Sequence, residues 1–337
     1  MQNISFSETQ LKNIVRDALA QRQRDADKPF VVSVMGQTGV GKSSLINALF
    51  GTNLATDPVR PCTKAIERVI AKSESGSELW FYDLPGIGES DKADEQYLSD
   101  YKEKIFESDV VLWAIHSDTR SVTFDKEALQ KILNSVESKV EQTYLLSKIT
   151  FILTKVDLLT PPAWGMVIGK KIGKDLCLFA PPKSTRELLE KKASYYREEI
   201  LKPYGELIIS RTYNDSKFGI NEPPLFHDDY FVYCRGFLEK SIVDDFKKRF
   251  GKHQGIFDRL YNNYQVIPCS SLFKFNLWEL LSVVVNKIGE DAVSRFDKFT
   301  NNESLNKVPI SEAVNYCNLI VYDRDKDKVV FDLADVF

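Results

Sequence analysis

No stretch of the chain comes near the roughly 18 consecutive apolar residues that a membrane-spanning helix needs. The opening residues MQNISFSETQ lack a basic segment followed by an apolar one, so neither a span nor a leader is expected. A CaaX box is missing from the C-terminus, and with it the expectation of a lipid anchor. Cysteine is sparse: Cys62, Cys177, Cys234, Cys269 and Cys317 are odd in number and show neither CxxC nor Cys/His ligand spacing. That argues against a disulfide framework or a zinc site, and for free thiols in a reducing, cytoplasmic setting. Charge of one sign is lacking too. A formal net charge of −3 gives no global attraction to nucleic acid or acidic lipid, so any such contact needs a local patch. Neither an internal repeat nor a low-complexity tract is present.

What remains is the make-up of a soluble globular protein, 43% apolar and 28% charged over 337 residues, long enough for one large domain or two ordinary ones. SETQLKNIVRDALAQ, from residue 7, predicts an amphipathic helix bracing the domain, with Ser7 and Gln10 as a capping box. A strand at 30–35, a helix at 42–50, a strand pair at 66–71 and 78–82 around SESGS, and a helix at 91–107 follow. The apolar runs DVVLWAIH (109–116) and KITFILTK (148–155) predict buried strands on either side of a helix at 123–138. This alternation predicts an α/β fold, a mostly parallel sheet with helices on both faces and ligands at the carboxyl ends of the strands.

The alternation then stalls for over a hundred residues, punctuated by proline pairs at 161–162, 181–182 and 223–224. A helix at 184–202 and a basic, helical stretch at 237–260 predict a mainly helical insertion. A strand at 264–271, a closing helix at 276–288, a helix near 310–318 and a hairpin at 318–333 complete the pattern. The expected domains are an N-terminal helix (1–27), a core formed by 28–158 and 264–290, the insertion (159–263) and a C-terminal extension (291–337).

Residues 35–45, MGQTGVGKSSL, lie between the first strand and its helix. Gly36, Gly39 and Gly41 let the backbone turn tightly and aim N–H groups, those of Thr38, Val40 and Ser44 included, into one concavity at a helix N-terminus. That is a phosphate cradle. Lys42 reaches the outer phosphates, and the Ser43 hydroxyl ligates a magnesium ion that bridges them. Asp83-Leu84-Pro85-Gly86, at the end of ELWFYD, supplies an aspartate to hold magnesium through water and a glycine N–H for the terminal phosphate. Thr63, on the loop 52–65, offers a hydroxyl and a carbonyl that close on magnesium when a third phosphate is present. Thr154-Lys155-Val156-Asp157 ends a buried strand. The Asp157 carboxylate can accept from guanine N1–H and its exocyclic amine, a donor pair adenine lacks, while the Lys155 stem lies over the base. Cys269-Ser270-Ser271 is placed to give backbone N–H groups, those of Ser270 and Ser271, to the guanine oxygen.

In this order the motifs resemble the five G motifs of TRAFAC-class GTPases. The chain is most similar to Era/TrmE-like proteins of the ribosome-binding GTPase domain family, particularly YfjP-like proteins through DLPGIGES (83–90) and VLWAIHSDTRSVTFD (111–125), and more distantly to immunity-related GTPases. The resemblance implies the P-loop GTPase fold over 28–157 and, more loosely, 264–290, with GTP and GDP as substrate and product and Mg2+ as cofactor. Lys42, Thr63 and Gly86 are the expected catalytic groups, and Ser43, Thr63 and Asp83 the expected metal ligands. Two departures matter. Gly39 stands where potassium-activated relatives carry asparagine. Ile87 stands where many small GTPases carry a water-orienting glutamine, so slow intrinsic hydrolysis is expected. Arg60, Glu89, Ser90, His116, Asp118 and Arg120 are further polar candidates, and a homodimer through the GTPase face is one way to complete the site. The insertion, with its helix and KKRFGKHQG (247–255), is the candidate surface for a protein or ribosome partner, although no KH-type GXXG module is evident. Two functions stand side by side: a GTP-hydrolysing switch, and a nucleotide-held assembly module with negligible turnover.

Overall fold

The computed structural model describes residues 29–51, 54, 56, 66–72, 77–86, 101–119, 122–159, 164–300, 303–316 and 320–332. The expected N-terminal helix, Thr63, Ile87 and the candidates Arg60, Glu89, Ser90 and Arg120 lie outside them.

A six-stranded sheet organises the chain. It is built from β1 (Phe30–Gly36), β2 (Glu67–Lys72), β3 (Glu78–Asp83), β4 (Val110–His116), β5 (Ile149–Thr154) and β11 (Ile267–Pro268), in the order β11-β5-β4-β1-β3-β2. All pairings are parallel except the β2–β3 hairpin. The continuous apolar runs read correctly as strands covered on both faces. Val111, Trp113 and Ile115 of β4 enter one core, and Val110, Leu112 and Ala114 the other. The second core is closed by α1 (Lys42–Phe50) and by residues Leu277, Leu280, Leu281 and Val284 of the closing helix. The first is closed by α2 (Thr123–Asn134) and α3 (Lys139–Lys148).

The segment expected as one helix at 123–138 followed directly by a strand is thus two helices. The missed signal was Ser138-Lys-Val-Glu141, a capping box in which the Ser138 hydroxyl accepts the Glu141 N–H and the Glu141 carboxylate accepts the Ser138 N–H. The expected strand 264–271 contracts to the two residues of β11.

The insertion contains its expected helices, α4 (Lys183–Tyr196), α5 (Lys240–Arg249) and α6 (Gln254–Asn262). It is mixed rather than mainly helical, however. β8 (Ile209–Tyr213), β9 (Leu225–His227) and β10 (Phe231–Arg235) form an antiparallel sheet over a core of their own with α5 and α6. β6 (Gly165–Ile168) and β7 (Leu176–Ala180) join β12 (Lys307–Pro309), β13 (Ile320–Asp323) and β14 (Lys328–Asp332) in a five-stranded sheet. Trp164, Met166, Cys177, Phe179 and Tyr196 belong to the same apolar cluster as Trp113 and Phe151. The insertion therefore packs on the main sheet. α7 (Leu277–Ile288) and α8 (Glu290–Thr300) follow it. Among the described residues no helix is long and apolar enough to cross a membrane.

β1 packs against β4 at Gly36, where an added Cβ would lie 2.2 Å from the Ala114 carbonyl oxygen and φ is +139°. Gly36→Ala is expected to cost about 3 kcal/mol or more, through forced strand separation and backbone strain. Urea denaturation of the variant beside Gly39→Ala, whose Cβ would meet nothing within 4 Å, checks this: the first should lose much more stability.

Candidate functional site

The turn between β1 and α1 is held open from outside. Gly39 and Gly41 adopt φ of +78° and +96°, which only glycine takes without strain. The carbonyl oxygens of this loop are engaged by donors. Lys42 Nζ donates to the Gly36 and Gln37 oxygens at 3.2 Å each. Lys155 Nζ donates to the Gly39 oxygen at 2.7 Å, and the Thr154 hydroxyl to the Val40 oxygen at 2.6 Å. The Gly41 oxygen accepts the Leu45 N–H of the first helical turn. In a planar trans peptide the N–H points opposite to the C=O, so fixing the carbonyls aims the amides of the same loop to the other side. The result is an anion cradle at the positive end of α1.

Beneath it, the Ser43 hydroxyl donates to the fully buried carboxylate of Asp83 at the end of β3. An alcohol and a carboxylate side by side form the all-oxygen set that suits a hard divalent cation. Gly86 is pressed onto the cradle: an added Cβ would lie 2.1 Å from Thr38 Oγ1, so only glycine lets this backbone approach. The Tyr101 hydroxyl, fully buried, fixes the preceding Pro85 carbonyl.

The second cluster sits at the end of β5. Lys155 has φ of +54°, and its side chain runs past Gly41, whose Cβ would meet Lys155 Cε at 3.4 Å. Its arm therefore spans from this cluster to the cradle. The Asp157 carboxylate accepts from the Ser270 hydroxyl. The Ser270 N–H donates to the Phe275 oxygen at 3.2 Å, which engages one of the two amides expected for the guanine oxygen and leaves Ser271 for that role. Ser270 instead orients Asp157, and its hydroxyl also accepts the Phe273 N–H at 3.0 Å. His116, at the end of β4, has its pKa lowered by burial and then by the Lys155 charge. Its Nδ1 accepts the Asp118 N–H at 3.1 Å, as a neutral imidazole does.

Residues 31–154 match the family described as 50S ribosome-binding GTPase. Over these residues the chain is similar to that family of P-loop GTPases. The uncharacterized protein YkfA of Escherichia coli (strain K12) is 32% identical over 154 residues, covering 44% of this chain and 50% of YkfA. YfjP of the same organism is 29% identical over the same length, with the same coverage. GTPase Era of Campylobacter hominis is 30% identical over 189 residues, 54% of this chain and 57% of Era. The chain thus spans about half the length of these relatives.

One element of the GTPase domain escaped the sequence reading. Asp125, fully buried in the first turn of α2, accepts from Trp113 Nε1 at 2.8 Å and from the phosphate-loop amide Gln37 Nε2 at 3.3 Å. An aspartate beginning a helix reads as a solvated first-turn acid, and nothing local in TFDKEALQ reveals the tryptophan behind it. Burial raises its pKa to about 6, against the two hydrogen bonds, which lower it. With the folded value above the unfolded one of 3.8, its contribution to stability is complete below the unfolded value and is lost as pH rises through 6. Relative to Asp125→Asn, the native protein is expected to lose on the order of 2 kcal/mol between about pH 4 and pH 7. Denaturation midpoints of both proteins across that window check this; parallel pH profiles would show that Asp125 does not titrate there.

Proposed function

We propose that the chain binds GTP with Mg2+ and hydrolyses it to GDP, slowly unless a second copy or a partner completes the site, and so works as a nucleotide-dependent switch. The observation that carries this reading is the Asp157–Ser270 contact, joined through Lys155 to the phosphate cradle. It supports a carboxylate pre-aimed for the N1–H and amine of guanine at the base end of a triphosphate cradle. Adenine has no matching donor pair, and a site built to accept two hydrogen bonds rejects a base that cannot supply them.

Within this proposal each residue has one task. The amides of the 36–44 turn, including those of Thr38, Val40 and Ser44, hold the phosphates. Lys42 moves from the Gly36 and Gln37 carbonyls to the outer phosphates, where negative charge develops during transfer. Ser43 and Asp83, with Thr63, would hold Mg2+, which when bound would supply positive charge to offset that of the phosphates. The Gly86 N–H faces the terminal phosphate, consistent with its close packing on Thr38. Ile87 cannot orient water, so the hydrolytic rate depends on a group from elsewhere. Pairing of two copies through the GTPase face is one source, and a protein or ribosome partner on the insertion another.

Asp157→Ala is expected to weaken GDP binding roughly a hundredfold or more, through the loss of two charge-assisted hydrogen bonds. ADP binding should hardly change. Competition against a fluorescent guanine nucleotide measures both, and an equal loss for the two bases would remove guanine recognition from this residue. Specific GTP turnover with Mg2+ should rise with protein concentration if self-association completes the site. A flat, negligible rate at every concentration would instead favour a nucleotide-held assembly module.

A further inference from the structure

The parallel strands place their amino ends opposite the phosphate loop, and a cleft opens there that the proposed reaction leaves unused. Its walls come from two parts of the chain. Asp109, Tyr144, Lys148, Tyr264 and Lys287 belong to the GTPase core, while Arg211 of β8 belongs to the insertion. Its charged lining is three cations and one acid. Lys148 caps the carbonyls of Ile105 and Phe106 at 3.2 and 2.7 Å, and Asp109 accepts the Val31 N–H at 2.8 Å.

Arg211 and Lys287 differ from these. Lys287, in the last turn of α7, donates to the Ile149 oxygen and the Thr150 hydroxyl at 2.8 and 2.9 Å. Arg211 lies over the Phe231 ring at 5.7 Å. Both keep some surface open to the cleft. Among the described residues, the charge acting on Lys287 is that of Arg211, and the groups acting on Arg211 are the phenols of Tyr144 and Tyr264; no carboxylate acts on either. Burial, and for Lys287 the Arg211 charge, disfavours the charged forms and brings Lys287 down to about 7.

Two cations lining one cleft are destabilising unless something neutralises them. Carbonyl and aromatic contacts offset part of the cost without removing the repulsion. A phosphate group does remove it. It carries close to two negative charges near neutral pH, accepts from a guanidinium fork and an ammonium together, and leaves an oxygen for a phenol. We propose that this cleft binds a phosphate-bearing small molecule between Arg211 and Lys287, tying the insertion to the GTPase sheet. A bound phosphate stabilises the protonated amine of Lys287.

The test uses the full chain saturated with GDP and Mg2+, so that the phosphate cradle is already filled. Orthophosphate and pyrophosphate are then added at constant ionic strength. Thermal melts of the native protein should rise on the order of 3–5 °C at saturation. Arg211→Met and Lys287→Met should lose this rise, and without added anion each should melt no lower than the native protein, because an uncompensated cation has gone. No rise in the native protein, or an undiminished rise in both variants, would overturn the proposal. If either variant does not fold, calorimetry of pyrophosphate binding to the native protein saturated with GDP and Mg2+ still decides: saturable one-to-one binding supports the site, and its absence overturns it. Competition by further GDP would identify a nucleotide phosphate as the source, and indifference to GDP a free phosphate or pyrophosphate.

Discussion

The constraint on which the site depends is that a loop with several positive-φ glycines cannot hold itself. Such a backbone forms neither helix nor ladder, and its peptide groups need partners from elsewhere. Here the partners come from the side chains that lie beside the nucleotide in the proposed reading. Thr154 and Lys155 reach the loop from the end of β5, and Lys42 reaches back from α1. Each bond contributes only about 1 kcal/mol net. Their effect lies in direction, because together they turn the carbonyls outward and leave the amides for an anion. The base end and the phosphate end are therefore one mechanical unit, and a change at Thr154 acts on the phosphates without touching them.

The same unit continues into the insertion. The turn after β11 is pinned by aromatic packing: Phe273 stacks on Phe179 of β7 at 4.2 Å, and Phe275 meets Trp164 edge-on at 4.9 Å. Tyr316 closes the group at 5.9 Å from Phe273. From the other side, Lys192 and Tyr196 of α4 donate to the Ser117 and Thr119 carbonyls, both at 2.8 Å, while the Ser117 hydroxyl holds the Lys155 carbonyl at 2.9 Å. Asp157, Lys155 and Ser270 thus sit in loops that the insertion and the C-terminal strands clamp on two sides.

How much of this was legible follows from the range of each interaction. The glycine turn before α1, the places of Asp83 and Thr154 at strand ends, and the buried strands could be read because a short segment carries its own pattern: glycine spacing, or an apolar run bounded by turns. The outer pairings of β6 and β7 could not. β6 pairs with β13, and β7 with β12, across more than a hundred intervening residues, and strands of three to five residues carry too little alternation to announce such partners. Asp125 and Ser270 were hidden for the same reason. Each is an ordinary turn or cap residue until Trp113 or Asp157 is brought against it. The capping box at Ser138 was different, being a local signal overlooked in favour of one longer helix.

This division between local and non-local signals bears on how the two parts of the chain are coupled. The residues that read as chemistry are local and lie on the GTPase sheet, whereas those that clamp the base-end loops are non-local and come from the insertion. The Lys155–Gly39 bridge and the support of Ser117 meet in one residue, since the Lys155 side chain makes the first and its carbonyl the second. The coupling need not be large: two hydrogen bonds of about 1 kcal/mol each would shift a two-state equilibrium roughly thirtyfold. The insertion is thus bonded to the 117–119 turn, whose Ser117 hydroxyl holds the Lys155 carbonyl.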